Sequence, residues 1–142
     1  MKVVLINLFR KESQYLGEKW VKGVPLEICK MGTTVVLNKL CNWKTSKTAS
    51  DEKGEAFVRQ GVKKMGPVVT DNNNFIIDFQ IKKAMNSGRT PQELESWLKS
   101  IPGILETGLF VDMASEAYFG QQDGSVSKRI CKSPRVDTLT LS

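Results

Sequence analysis

The chain of 142 residues is long enough for one ordinary domain and too short for two independent ones. Hydrophobic residues make up 40% and charged residues 25%, as in globular proteins, and no apolar run approaches the roughly 20 residues that span a bilayer. The net charge of +6 is spread along the chain, and aromatic residues are few, so the charge suits small phosphorylated ligands as well as nucleic acid. We expect neither a nucleic-acid nor a membrane partner.

Cysteine and histidine usage limits the chemistry. Cys29, Cys41 and Cys131 are far apart and form no C-x-x-C pair, and the chain has no histidine, so we predict no metal site and reduced, partly buried thiols. Without histidine, a Ser-His-Asp triad is excluded, and a general base must be a carboxylate, a lysine or a tyrosine. The chain start has no signal-peptide pattern, and a cytoplasmic location is expected.

The first half of the chain alternates apolar runs with polar stretches. Residues Val3–Leu8 form a continuous apolar run, which predicts a strand buried on both faces, as in a parallel sheet. After Gly23, a second strand is predicted at 24–29 and a short helix at 35–40. Residues 42–55 are polar and predict a long exposed loop.

The second half contains the best-defined elements. A strand at 56–62 is followed by a turn cluster at 71–74 and by a strand at 75–81 whose apolar residues alternate with polar ones. Thr90, Pro91 and Glu93 predict the capped start of a helix, and Pro102-Gly103 ends it. A strand at 104–111 follows, with Gly108 in its middle.

The element order from 24 to 111 is strand, helix, strand, strand, helix, strand, which is the ferredoxin-like βαββαβ arrangement. The flanking pieces at 1–22 and 112–131 are predicted to belong to a second domain, which the chain leaves and re-enters. Residues 132–142 are predicted to form a polar tail. The predicted class is therefore α/β, with a ferredoxin-like α+β domain at 23–111 inserted into another domain.

Four segments resemble the ribose-5-phosphate isomerase A family, most closely its animal forms. They lie in the family's order, at nearly its spacing, and cover most of residues 9–127. The segments are RK at 10–11 with LG at 16–17 and KGVPLE at 22–27, GPVVTDNNNFIID at 66–78, IPGILETGLF at 101–110, and YFGQQDGSV at 118–126.

The resemblance implies an aldose-ketose isomerase of the pentose phosphate pathway. In that family D-ribose 5-phosphate and D-ribulose 5-phosphate interconvert through an enediolate, without a metal or other cofactor, in a homo-oligomer. The flanking pieces would then be remnants of an incomplete Rossmann-like catalytic domain. The family's phosphate loop and glutamate base precede the part resembled here, so we expect a carboxy-terminal portion with no catalytic residue of its own.

One site residue carries over from the resemblance. Lys11 matches a family lysine at the end of a strand that contacts the substrate, and its ammonium could pair with a phosphate or an enediolate oxygen. The alternative is a solvated surface lysine beside Arg10. Asp71 and Asn72 are interpreted as turn residues, and Gly108 and Gly120 as positions that relieve backbone crowding. Asn73 stands where the family usually has glycine, in a turn that favours positive φ.

Two other functions fit the same residues. The chain could be a non-catalytic truncated homologue that associates with other subunits, or a small basic binding protein on a ferredoxin-like scaffold. In either case the apolar run Val3–Leu8 predicts poor solubility or association, because it would expose apolar faces and an unpaired edge.

Overall fold

The computed structural model describes residues 3–14, 16–43, 54–80 and 90–131. The strands are β1 (Val3–Leu8), β2 (Val24–Ile28), β3 (Glu55–Val58), β4 (Phe75–Gln80), β5 (Ile104–Thr107), β6 (Ala114–Gly120) and β7 (Val126–Ile130), and the helices are α1 (Thr33–Cys41) and α2 (Pro91–Lys99). The predicted tail at 132–142, most of the predicted loop at 42–55 and the predicted strand end at Ile81 lie outside the described residues.

The chain forms two compact units, one from residues 1–12 and 112–142 and the other from residues 13–111. The second unit therefore begins before the predicted boundary at residue 23. Each unit has its own sheet, and the two sheets with few helices give the predicted α/β class.

The first unit is built on a three-stranded sheet in the order β1-β6-β7. Strands β1 and β6 are parallel and end together, with Leu8 opposite Gly120, whereas β7 returns antiparallel to β6. Parallel pairing agrees with the continuous apolar run of β1. The prediction that β1 is buried on both faces is wrong for the described structure, since Ile6 is 82% exposed. Pairing with β6 covers one backbone edge of β1 and leaves its side chains with little cover.

The second unit has the ferredoxin-like topology predicted from the sequence. Its four antiparallel strands are ordered β3-β4-β2-β5, so the first and third strands of the βαββαβ unit lie side by side in the centre. Apolar residues that alternate along β2 and β4 form the core together with one face of each helix. The buried apolar residues are Val24, Leu26, Ile28, Val36, Leu40, Trp43, Ile77, Phe79, Leu94, Leu98, Ile101 and Leu109.

Helix α2 begins as predicted. The Thr90 hydroxyl accepts a hydrogen bond from the Glu93 amide at 3.2 Å, and the Glu93 carboxylate accepts one from the Thr90 amide at 2.8 Å. Pro91 takes the first helical position, where no backbone N–H is needed. This reciprocal cap satisfies two amides that the helix start would otherwise leave open.

The structure differs from several predictions about strand ends and glycine positions. Strand β3 ends at Val58 rather than at 62, and β5 ends at Thr107 rather than at 111. Gly108 relieves crowding as predicted, because a Cβ there would lie 2.6 Å from a Pro25 carbon. At Gly120 the same prediction is wrong, since a Cβ would meet nothing within 4 Å among the described atoms.

An ion pair between the buried Asp78 and the partly exposed Arg59 joins the end of β3 to the polar face of β4. Asp78 is 5% exposed, and its two carboxylate oxygens accept hydrogen bonds from the Arg59 guanidinium, one of them from Nε at 2.8 Å. The hydrogen bond to Asp78 raises the pKa of Arg59 above its usual range. The pairing compensates a carboxylate that burial would otherwise destabilise.

Candidate functional site

The carboxyl ends of β1 and β6 form the candidate site of the first unit. The two parallel strands stop at the same level, and each is followed by a tight turn. A 3-10 turn, Phe9–Lys11, follows β1. A second turn follows β6, where the Gln121 amide donates to the Ser125 carbonyl at 2.8 Å. In α/β sheets, ligands bind in the crevice outside the carboxyl ends of the parallel strands.

Lys11 is the last residue of the 3-10 turn at this edge. The turn closes through the Glu12 amide, which donates to the Phe9 carbonyl at 2.9 Å. The Lys11 side chain is exposed, and within the described ranges no hydrogen bond or ion pair involves it. The structure therefore places this predicted site residue at the strand edge with its ammonium accessible to an anion.

Glu12 lies beside Lys11 and forms the densest polar cluster of the first unit. Its Oε1 accepts hydrogen bonds from Arg129, with Nε at 3.0 Å and the second guanidinium nitrogen at 2.9 Å. Its Oε2 makes longer contacts with Gln121 Nε2 at 3.3 Å and with Ser127 Oγ at 3.4 Å. We call Glu12, Gln121, Ser127 and Arg129 the Glu12 cluster.

Sequence reasoning gave Glu12 no role, although a signal for the cluster exists. Ser127 and Arg129 are two residues apart on β7 and therefore point to one face of the sheet. Gln121 follows β6 on the edge that Glu12 reaches after the 3-10 turn. The pairing of β7 with β6 brings these residues together, and an isolated sequence does not specify that pairing.

A second cluster occupies the opposite face of the β6–β7 hairpin. Tyr118 donates to the Glu116 carboxylate at 3.0 Å, and Lys128 pairs with the same oxygen at 3.4 Å. The hydrogen bond with Tyr118, followed by the charge of Glu116, raises the pKa of Lys128. These residues lie along the strands rather than at their carboxyl ends, so they brace the hairpin.

In the second unit, Glu27 connects a turn to the sheet. The Glu27 carboxylate accepts hydrogen bonds from the Thr70 hydroxyl at 2.7 Å and from the Asn74 amide at 3.0 Å, and these bonds lower its pKa. Asn73, at φ +61°, adopts the left-handed conformation expected at its position. The turn interpretation of residues 71–74 is thus confirmed, with Glu27 tying the turn to the sheet.

The described residues contain no group of three potential metal ligands. All three cysteines are free. Cys29 and Cys41 are partly buried as predicted, whereas the prediction is wrong for Cys131, which is exposed near the end of the described residues. Within the described part of the chain, no helix has the length and apolar content to cross a bilayer.

Comparison with known proteins gives consistent matches. The family model described as ribose 5-phosphate isomerase A (phosphoriboisomerase A) matches residues 1–124. A ribose-5-phosphate isomerase of Dictyostelium discoideum is 46% identical over 124 residues, covering 87% of this chain and 49% of the relative. The Homo sapiens ribose-5-phosphate isomerase is 40% identical over 127 residues, covering 89% of this chain and 37% of the relative. The chain thus spans half or less of these relatives' lengths.

Solved structures match the fold of the chain. Ribose 5-phosphate isomerase A of Methanocaldococcus jannaschii superposes with a TM-score of 0.73 at 30% identity, covering 92% of this chain and 50% of the other. A D-ribose-5-phosphate isomerase in complex with phospho-erythronic acid gives a TM-score of 0.70 at 31% identity, with the same coverage of both chains.

Proposed function

Because the chain belongs to the ribose-5-phosphate isomerase A family, we propose that the protein interconverts D-ribose 5-phosphate and D-ribulose 5-phosphate. The fold, the four sequence motifs and the matched isomerases all support this activity. The matched relatives are about twice as long as this chain or longer, so the proposal concerns the activity of the whole protein. The part of this activity that we assign to residues 1–142 is contact with the ligand at the carboxyl ends of β1 and β6.

Lys11 is the residue through which we propose that this edge contacts the sugar phosphate. The observation that carries the proposal is the position of an exposed lysine on the turn directly after a parallel strand. One matched isomerase was solved with phospho-erythronic acid, whose phosphate and carboxylate are both anionic. A lysine ammonium suits such a ligand, because it is a compact positive charge with three hydrogen-bond donors.

The reaction moves one proton between C1 and C2 of the open-chain sugar phosphate. A carboxylate base removes the proton from C2 of the aldose, which leaves an enediolate with its charge on O1. The hydroxyl proton then moves from O2 to O1, and the protonated base returns its proton to C1, which gives the ketose. Lys11 would stabilise negative charge on the phosphate or on an enediolate oxygen. We assign the base to no residue of this chain. The proposal needs no metal or organic cofactor, and it includes a homo-oligomer and a cytoplasmic location.

A chimera tests the proposed activity. The amino-terminal segment of the Dictyostelium discoideum relative that precedes its matched region is fused ahead of residue 1, and formation of D-ribulose 5-phosphate is assayed. We expect turnover. We also expect Lys11→Gln to lower kcat/KM by about 10- to 100-fold, as for a charged hydrogen bond worth about 1.5–3 kcal/mol.

Two controls separate a specific contact from general charge. Arg10→Gln removes the same charge one residue away, and Lys39→Gln removes an exposed charge from α1 in the other unit. Both variants should keep kcat/KM within about 3-fold, because exposed charges act weakly through water. A folded chimera without turnover would support the non-catalytic alternative, and an equal loss in Arg10→Gln and Lys11→Gln would remove the role of Lys11.

A further inference from the structure

We infer that Glu12 is a positioning residue, whose ion pair with Arg129 fastens the turn that presents Lys11 to the ligand. The inference rests on the proposed role of Lys11 and goes beyond it, because Glu12 faces the protein rather than the open side of the edge. Its carboxylate is 22% exposed and accepts from side chains of both β7 and the turn after β6.

The turn that Glu12 anchors is short and lies on the surface. The 3-10 segment is three residues long, its N-cap side chain makes no capping hydrogen bond, and none of its residues is buried. One backbone hydrogen bond, from the Glu12 amide to the Phe9 carbonyl, closes it. Glu12 is therefore both the residue that closes the turn and the residue that anchors it to the sheet.

The partner side of the anchor has further contacts of its own. Arg129 lies on β7 directly opposite Ala117 of β6, and its guanidinium carbon lies 5.9 Å from the centre of the Phe119 ring. Gln121 also donates to Ser127 at 2.9 Å, which joins the turn after β6 to β7. A guanidinium that is stacked and fixed on a strand loses less conformational freedom on pairing than a free one.

The pairing also keeps Lys11 available. Lys11 and Glu12 are adjacent and opposite in charge, so a free Glu12 carboxylate could compete with the ligand for the lysine ammonium. Both carboxylate oxygens of Glu12 instead accept hydrogen bonds from the other members of the Glu12 cluster, so the carboxylate is already paired. Loss of Arg129 should therefore weaken ligand binding in two ways, by loosening the turn and by freeing a competing anion.

Amide hydrogen exchange in the 142-residue chain tests the anchor without reference to the ligand. In Glu12→Gln and in Arg129→Gln, the protection factor of the backbone amide at position 12 should fall about 5-fold, which corresponds to a surface-accessible ion pair worth about 1 kcal/mol. The double variant should show no more than the larger single effect, because either change alone breaks the pair. Amides of β6, the central strand of the first unit's sheet, report whether that unit remains folded in each variant.

Binding of D-ribose 5-phosphate to the same variants tests positioning. We expect Glu12→Gln and Arg129→Gln to weaken binding about 3- to 10-fold while Lys11 is retained, in line with a lost coupling of about 1 kcal/mol. The matched control is Lys128→Gln, which removes the ion pair on the opposite face of the same hairpin and should change neither measurement.

The outcomes separate this inference from the proposed function. Unchanged exchange at Glu12 would overturn the anchor whatever the binding result. Faster exchange with unchanged ribose 5-phosphate binding would overturn positioning, while a loss in Lys11→Gln would leave the proposed function intact. If Lys11→Gln also binds as tightly as the unaltered chain, the role of Lys11 fails and the positioning inference fails with it.

Discussion

At the scale of single residues, polar side chains that are removed from water are paired with hydrogen-bonding partners. Asp78 is buried against Arg59, and Glu27 is tied to the turn at 70–74. Thr107 is an exception, since its buried hydroxyl makes no hydrogen bond among the described residues. A buried polar group without a partner costs about 1–3 kcal/mol.

Replacement of Thr107 by valine should therefore stabilise the fold. Thr107→Val removes the unsatisfied hydroxyl and keeps the branched shape, so we expect the free energy of unfolding to rise by about 1 kcal/mol in urea titrations. Thr107→Ser is the control, because it keeps the hydroxyl and loses a buried methyl group, and it should destabilise by about 1 kcal/mol. A destabilised valine variant would indicate that the hydroxyl has a partner in the protein.

Glu27 should make stability depend on acid pH. Hydrogen bonds, first from Thr70 and then from Asn74, lower the pKa of Glu27 in the folded chain. A carboxylate with a lowered folded pKa stabilises the fold above its unfolded pKa, and this contribution is lost as pH falls through the folded pKa. Thr70→Val should reduce the loss of stability between about pH 6 and pH 3, measured by urea unfolding at each pH. An unchanged pH profile would contradict this assignment.

At the scale of elements, short-range sequence patterns predicted some features, and the other features depend on contacts with neighbouring strands. The start of α2 and the turn at 71–74 follow from short-range hydrogen bonding, so sequence alone identified both. The burial of β1, the early end of β3 and the position of Glu12 depend on which strands lie alongside. Asp78 lies on β4, whereas its partner Arg59, whose side chain is 37% exposed, follows the end of β3, so the residues around Asp78 do not reveal the pair.

The cap of α2 makes a direct prediction. Thr90→Ala removes the side-chain acceptor for the Glu93 amide and should lower the free energy of unfolding by about 1 kcal/mol. Thr90→Ser keeps the oxygen and should remain within about 0.5 kcal/mol of the unaltered chain. Thermal and urea unfolding of the three proteins provide the measurement, and equal stability of the alanine variant would show that the capping box contributes little here.

At the scale of the whole molecule, the first unit combines a site-bearing edge with an apolar surface. Strand β1 lies at one side of its sheet, and Val4, Leu5, Ile6 and Leu8 are 43–82% exposed. Exposed apolar residues on an edge strand favour pairing with another chain. The sequence predicted both the family motifs and the exposure of this apolar run, but the exposed fraction of each residue depends on the atoms around the strand.

We expect the 142-residue chain to associate with a second copy of itself through β1. Ile6→Lys places a charge at the most exposed position of that strand and should shift the protein towards monomer in sedimentation measurements across concentration. Met65→Lys is the control, since Met65 is fully exposed in the other unit and should leave association unchanged. A monodisperse monomer at all concentrations would contradict the prediction.

The central claim is that the edge after β1 contacts a sugar phosphate through Lys11. The most direct test is a titration of the chain, labelled at its lysine side chains, with D-ribose 5-phosphate, followed by nuclear magnetic resonance. The account predicts a saturable shift of the Lys11 signal, which is absent with D-ribose and lost in Lys11→Gln. A Lys11 signal that does not move, or that moves no more than the signals of the other exposed lysines, would contradict it.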